Sequence, residues 1–156
     1  MKLHARKVLG LLAVLTVGWV AFAQETDALF VTTAAQSDLY EITSSELALE
    51  RASSEEVRAF AQRMIDDHTA TTEQLTPIAE ALGVTPPAET TAAAQLDIAY
   101  LETLEGEAFD TAYMAQQRLS HEAAVAAFEI AAETAQDEAL RAFATENLPV
   151  IREHTP

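Results

Sequence analysis

From about residue 27 to the end, apolar residues recur every three or four positions, and the three histidines of that region fall on the same stripes. A helix turns about 100° per residue, so positions four, seven and eleven apart share a face. His68 aligns with Val57, Ala61, Met64, Leu75, Ala79 and Leu82. His121 aligns with Met114, Val125, Phe128 and Ala132, and His154 with Leu140, Phe143 and Val150. On a further stripe, Glu41 shares a face with Phe30, Ala34 and Ala48. One buried imidazole is an ordinary satisfied core residue. Three of them on three helices, with a carboxylate on a fourth, point to a metal site inside a helical bundle.

The helices can be bounded from caps and breakers. The first is predicted from about Asp27 to Ala52. Ser53-Ser54-Glu55-Glu56 reads as a capping box, with Ser53 as N-cap and Glu56 reaching back. A second helix then runs to about Leu82, interrupted and kinked by Pro77 and ended by Gly83. Val84 to Thr91, with Pro86-Pro87, is non-helical. A short helix from about Ala92 to Leu104 follows, and Glu105-Gly106 breaks it. The third long helix is predicted from Glu107 to Ala135, and the last from Glu138 to Glu153, with Pro149 inside it. The expectation is all-α: a ferritin-like four-helix bundle of two helical hairpins, joined by a long crossover carrying a short extra helix. A plain up-down-up-down bundle is the alternative.

The N-terminus reads differently. Met1 to Lys7 is basic, Val8 to Ala23 is apolar, and Ala21-Phe22-Ala23 has the A-x-A form of a cleavage site. Residues 1–23 therefore read as a cleaved signal peptide, leaving one domain over residues 24–156. A retained membrane anchor is the alternative, but the run is short for a span of about 20 residues. The chain has no cysteine, which excludes a lipoprotein anchor, disulfides and thiolate ligands. This predicts an exported protein, periplasmic or extracellular, with no stable membrane insertion after cleavage.

Removing the signal sharpens the charge. The mature chain keeps six arginines, no lysine and all 25 acids, a net charge of about −19. Such a surface repels phosphate backbones, so nucleic acid is excluded as a partner. Expected partners are a metal ion, and beyond it further copies of the chain or an envelope protein.

Counting about 1.5 Å of rise per residue from the turns places Glu41 roughly 18 Å, His68 roughly 22 Å, His121 roughly 21 Å and His154 roughly 17 Å up the bundle. All four reach one layer. Three imidazoles and a carboxylate suit zinc, copper or iron and do not suit calcium or magnesium. Ferritin-like di-iron sites need two Glu-x-x-His pairs. The residues three before His68, His121 and His154 are Ile65, Arg118 and Ile151, so the spacing disfavours a di-iron oxidase. Met64 and Met114 share the histidine faces, where core filling is the commoner use of methionine. Asp110 and Tyr113 open the third long helix, where an acid favours the helix dipole.

These residues resemble a known family. Phe30-Val31, Asp38-Leu39-Tyr40-Glu41-Ile42 and Ala61-Gln62-Arg63-Met64-Ile65-Asp66-Asp67-His68 resemble its first hairpin. Phe109-Asp110-Thr111-Ala112-Tyr113, His121 and Leu148-Pro149-Val150-Ile151-Arg152-Glu153-His154 resemble its second. The family is domain of unknown function 4142, exported bacterial proteins with a ferritin-like fold. The resemblance implies fold and export, and marks Glu41, His68, His121 and His154, with Phe109, Asp110 and Tyr113, as characteristic positions. The resulting expectation is one transition-metal ion held by Glu41, His68, His121 and His154, in metal binding or envelope stress protection. The alternatives are a metal-free interaction module with a polar core layer, and a metal-dependent oxidoreductase.

Overall fold

The structure, a computed structural model, describes the backbone of residues 8–155 and the side chains of residues 24–155. Among these, all regular structure is helical: α1 (Val8–Arg51), α2 (Glu55–Leu82), α3 (Ala92–Leu101), α4 (Gly106–Thr134) and α5 (Glu138–Glu153). The predicted signal segment and its cleavage point lie outside the residues whose side chains are described. α1 begins upstream of the predicted Asp27 start. Among the described residues, no helix is long and apolar enough to cross a membrane.

Short turns make α1–α2 and α4–α5 antiparallel hairpins. Tyr40 bonds Gln116, and Ser45 bonds Tyr113, so α1 runs against α4. Arg63 pairs with Glu153, and Gln74 with Asn147, so α2 runs against α5. α2 and α4 are therefore parallel, which the crossover through α3 makes feasible. This is the hairpin connectivity the sequence predicts, and the up-down-up-down alternative is not formed.

The caps correct two sequence readings. The N-cap of α2 is Ser54, whose hydroxyl accepts from the amides of Glu56 and Val57. Ser53 instead donates its amide (3.0 Å) and hydroxyl (2.6 Å) to Asp110, and the Ser54 amide adds a third bond at 2.9 Å. Asp110 thus neutralises the start of α2, not the dipole of its own helix. At the other end Gly83 takes φ 69°, and Val84 N–H reaches back to Ala79 O at 2.9 Å, closing α2. α2 continues through Pro77 without a break.

The two hairpins repeat each other at one constant sequence offset. Asp27 of α1 accepts from the amides of Gln136 and Asp137 at the α4–α5 turn, as Asp110 of α4 accepts from Ser53 and Ser54 at the α1–α2 turn. Arg58 donates to Ala52 O, and Arg141 to Ala135 O. Phe60 meets Tyr113 edge-on, and Phe143 meets Phe30. Each hairpin clamps the turn of the other.

The core is built in three layers along the bundle. At the α4–α5 turn end lies an apolar cluster that includes Val31, Leu75, Phe128, Leu140, Phe143 and Ile151. At the α1–α2 turn end lies a second, with Val57, Leu101, Phe109 and Tyr113. Between them sits a buried polar layer: Asp38, Glu41, Ser44, His68, Gln117, His121 and His154. On α5 the buried face that leads to His154 runs through Leu140, Phe143, Asn147 and Ile151. Val150, predicted on that face, is exposed.

Candidate metal centre

His68 lies in the middle of α2, His121 in the middle of α4, and His154 at the C-cap of α5. One ring nitrogen from each lies within 4.8 Å of the others, and all three residues are buried. The sequence-predicted convergence of these three side chains is therefore formed. Their ring centroids are 5.2–5.6 Å apart.

In each imidazole the second nitrogen is occupied. His68 Nδ1 lies 2.8 Å from Asp38 Oδ1, whose other oxygen accepts from the Thr72 hydroxyl at 3.1 Å. His121 Nδ1 donates to the Gln117 carbonyl at 2.8 Å. His154 Nε2 lies 2.7 Å from Asp67 Oδ2, which also accepts from Arg63 at 3.2 Å. The nitrogens left over are His68 Nε2, His121 Nε2 and His154 Nδ1. The last is buried and has no hydrogen-bond partner. An acceptor behind each imidazole fixes its tautomer and raises its basicity, the arrangement found behind metal-ligating histidines.

Donor spacing provides a fit test. A tetrahedron with bonds of roughly 2.0–2.1 Å to nitrogen has edges of roughly 3.3–3.4 Å. His68 Nε2 and His121 Nε2 are 3.4 Å apart. The residues present therefore fit a tetrahedral ion of zinc size along that edge.

Electrostatics divide the three rings. Burial pushes His68 down, but the bond to Asp38 and the charges of Glu41, Asp38 and Asp67 outweigh it and hold it above its ordinary value. Burial drives His121 down to about 4, with His68 and His154 adding to the fall. Burial also lowers His154, against the opposing bond to Asp67. These directions favour His68 over His121 and His154 as the protonated ring, beside Asp38 and 3.4 Å from His121. Burial raises Asp38 as well, against its bonds to His68 and Thr72.

Glu41 stands beside this trio and is not among the three nitrogens that converge. It is 1% exposed, and its Oε1 accepts from the Ser120 hydroxyl at 2.5 Å. No protein donor reaches Oε2. Burial holds its carboxyl above the usual range, although His68, Ser120 and Gln117 favour the charged form. Gln117 donates from Nε2 to Ser44 at 3.2 Å, and its Oε1 is also unpaired. Of the other candidates, Tyr113 bonds Ser45 at 2.8 Å and stacks on Phe109, and Met114 packs against that same cluster.

Sequence reading did not identify Asp67, Gln117, Ser120 or Thr72 as site residues, and Asp38 entered only within the segment that resembles the family's first hairpin. Asp67 precedes His68 and looks like a solvated acid. Only the crossing of α5 over α2 brings it to His154.

The family model of Domain of unknown function (DUF4142) matches residues 20–156 of this chain. Among solved structures, a DUF305 fragment from Deinococcus radiodurans is similar with a TM-score of 0.73 at 17% identity, covering 83% of this chain and 90% of that one. A DUF305 protein from Streptomyces coelicolor, described as a candidate secreted protein, has a TM-score of 0.70 at 16% identity, covering 83% and 86%. These likenesses concern the helical-bundle fold. No curated protein matches.

Proposed function

The chain belongs to the DUF4142 family, and we propose that it binds one transition-metal ion, zinc, copper or iron, through His68, His121 and His154, with Glu41 as the nearby buried carboxylate. The observation that carries this reading is the set of three ring nitrogens that lie within 4.8 Å of one another in one buried layer, each ring held from behind by Asp38, the Gln117 carbonyl or Asp67. Neutral nitrogens so placed repel one another unless a cation or a proton lies among them.

An exported location fits the N-terminal signal pattern and the secreted description of one structural neighbour. In that setting the protein would take up or hold metal in the cell envelope, or protect against metal stress. A second reading has its own support. A proton on His68 shared towards His121 would satisfy that edge of the layer without metal, leaving a structural or interaction module.

The deciding experiment is elemental mass spectrometry of the protein purified without a histidine tag, followed by melting with and without added Zn²⁺, Cu²⁺ and Fe²⁺. About one ion per chain, and a rise in Tm on adding that ion, is the expected result. No bound ion and no rise with any of the three would leave the polar-layer reading.

A further inference from the structure

Among the described residues, three buried side-chain atoms lack a hydrogen-bond partner, and all lie in the polar layer: His154 Nδ1, Glu41 Oε2 and Gln117 Oε1. The first belongs to the histidine trio. The other two are oxygen acceptors on residues that are 1% and 0% exposed. Both are tied to the trio. The Gln117 carbonyl holds His121 from one turn earlier on α4, and the charge of Glu41 acts directly on His68.

Three histidines supply three ligands, and a tetrahedral ion takes four. If Glu41 were the fourth ligand, its Oε2 would be satisfied, but Gln117 Oε1 would stay buried and unpaired. Ser120 already engages Glu41 Oε1 and turns the carboxylate towards α4. A molecule with one lone pair for the ion and two hydrogens supplies the groups that the ion and these two oxygens lack. The smallest such molecule is water. We infer that the fourth position of the three-histidine site takes an exchangeable, water-sized protic oxygen ligand, whose hydrogens go to Glu41 Oε2 and Gln117 Oε1. Glu41 is then the hydrogen-bond acceptor of the bound ligand, not a ligand of the ion.

Ser120 lines a groove of about 230 Å³ between α1, α4 and the crossover, walled by Phe30, Tyr40, Thr90 and Phe128. Ser120 also holds Glu41, so this groove adjoins the polar layer on the α1–α4 side. On the α2–α5 side, Asp67, Arg63 and Glu153 form an ion-paired cluster beside His154.

This inference rests on the metal-binding reading, and cobalt(II) separates the two. Co²⁺ is added to the full metal-free protein, and its visible spectrum is followed while azide is titrated in. The expected result is one Co²⁺ per chain and a spectrum that changes saturably with azide, because azide displaces the protic ligand. Glu41→Gln should keep Co²⁺ affinity within about threefold and shift azide affinity by about tenfold, since it removes a charge beside the exchanging position. Gln117→Met, which removes the other acceptor, should shift azide affinity without releasing Co²⁺. The inference is overturned if Co²⁺ binds but azide leaves the spectrum unchanged, or if Glu41→Gln loses Co²⁺ as completely as His121→Ala does. Failure of wild-type protein to bind Co²⁺ at all would instead sink the metal-binding reading and this inference with it.

Discussion

Asp38 Oδ1 sits 2.8 Å from His68 Nδ1, both side chains about 95% buried, and this contact turns the His68 ring so that Nε2 faces His121. The contact was not legible as a pair in the sequence, because the two residues lie on different helices. It couples the orientation of one proposed ligand to the first helix of the bundle. Loss of such a partner typically weakens metal binding about 10–100-fold. Asp38→Asn is therefore expected to lower Zn²⁺ affinity by that order. Calorimetric titration checks it, and an unchanged affinity would show that Asp38 does not orient a ligand.

The trio should act as a unit. In the double variant His68→Ala, His121→Ala, the rise in Tm produced by metal should vanish. His154→Ala should keep a reduced rise, because His68 and His121 still present an edge of 3.4 Å. Differential scanning fluorimetry at matched metal concentrations makes the comparison. A full metal-dependent shift in the double variant would place the ion elsewhere.

The pH dependence has a definite sign. An unfolded His121 takes its proton near pH 6.5, whereas in the fold burial keeps it neutral down to about pH 4. Between those values the unfolded chain binds the extra proton. The His121 contribution to stability is thus present above about pH 6.5 and is lost as pH falls towards 4, on the order of 3 kcal/mol. His68, Asp38 and Glu41 are shifted upward and act in the opposite sense. The direct measurement is therefore an imidazole NMR titration of the metal-free protein. His121 should stay neutral through pH 5; a midpoint near 6.5 would contradict the buried, cation-facing position.

Cross-clamping of the turns predicts a stability effect far from the metal layer. Asp27 is 4% exposed and accepts from the Gln136 and Asp137 amides at 2.9–3.1 Å. Asp27→Ala leaves the two turn amides before α5 without their acceptor and should cost about 1–2 kcal/mol. Asp110→Ala removes the matching clamp on α2, where solvent screens it more, and should lower Tm by less. Thermal unfolding of both variants, with metal stoichiometry expected to be unchanged, makes the comparison. A Tm equal to wild type for Asp27→Ala would show that the clamp is incidental.

Much of the bundle could be read from local signals. Periodicity located the long helices, Gly83 marked the end of α2, Glu138 opened α5, and Ala92 began the short crossover helix. Caps were less legible. Ser53 and Ser54 are chemically alike, and only the arrival of Asp110 from α4 decides which one caps α2. Val150, seven residues after Phe143 and four before His154, shares the predicted stripe, but the buried face follows Asn147 and Ile151 instead. The hairpin repeat was present in the sequence all along, in Asp27 and Asp110, Ala52 and Ala135, Arg58 and Arg141. It shows itself once the paired contacts are seen, because few of its matched positions are identical.

Helix placement and the shared height of His68, His121 and His154 follow from the chain alone, since both depend on near-neighbour periodicity and a constant rise per residue. The partners behind each imidazole do not. Asp38, Asp67 and the Gln117 carbonyl are assigned by how the helices rotate and cross, which depends on packing among residues distant in sequence. The same packing separates Glu41 from the three nitrogens that converge. A one-dimensional pattern specifies which face of a helix is buried, but which atom of that face meets which neighbour is settled only when four faces close on one another.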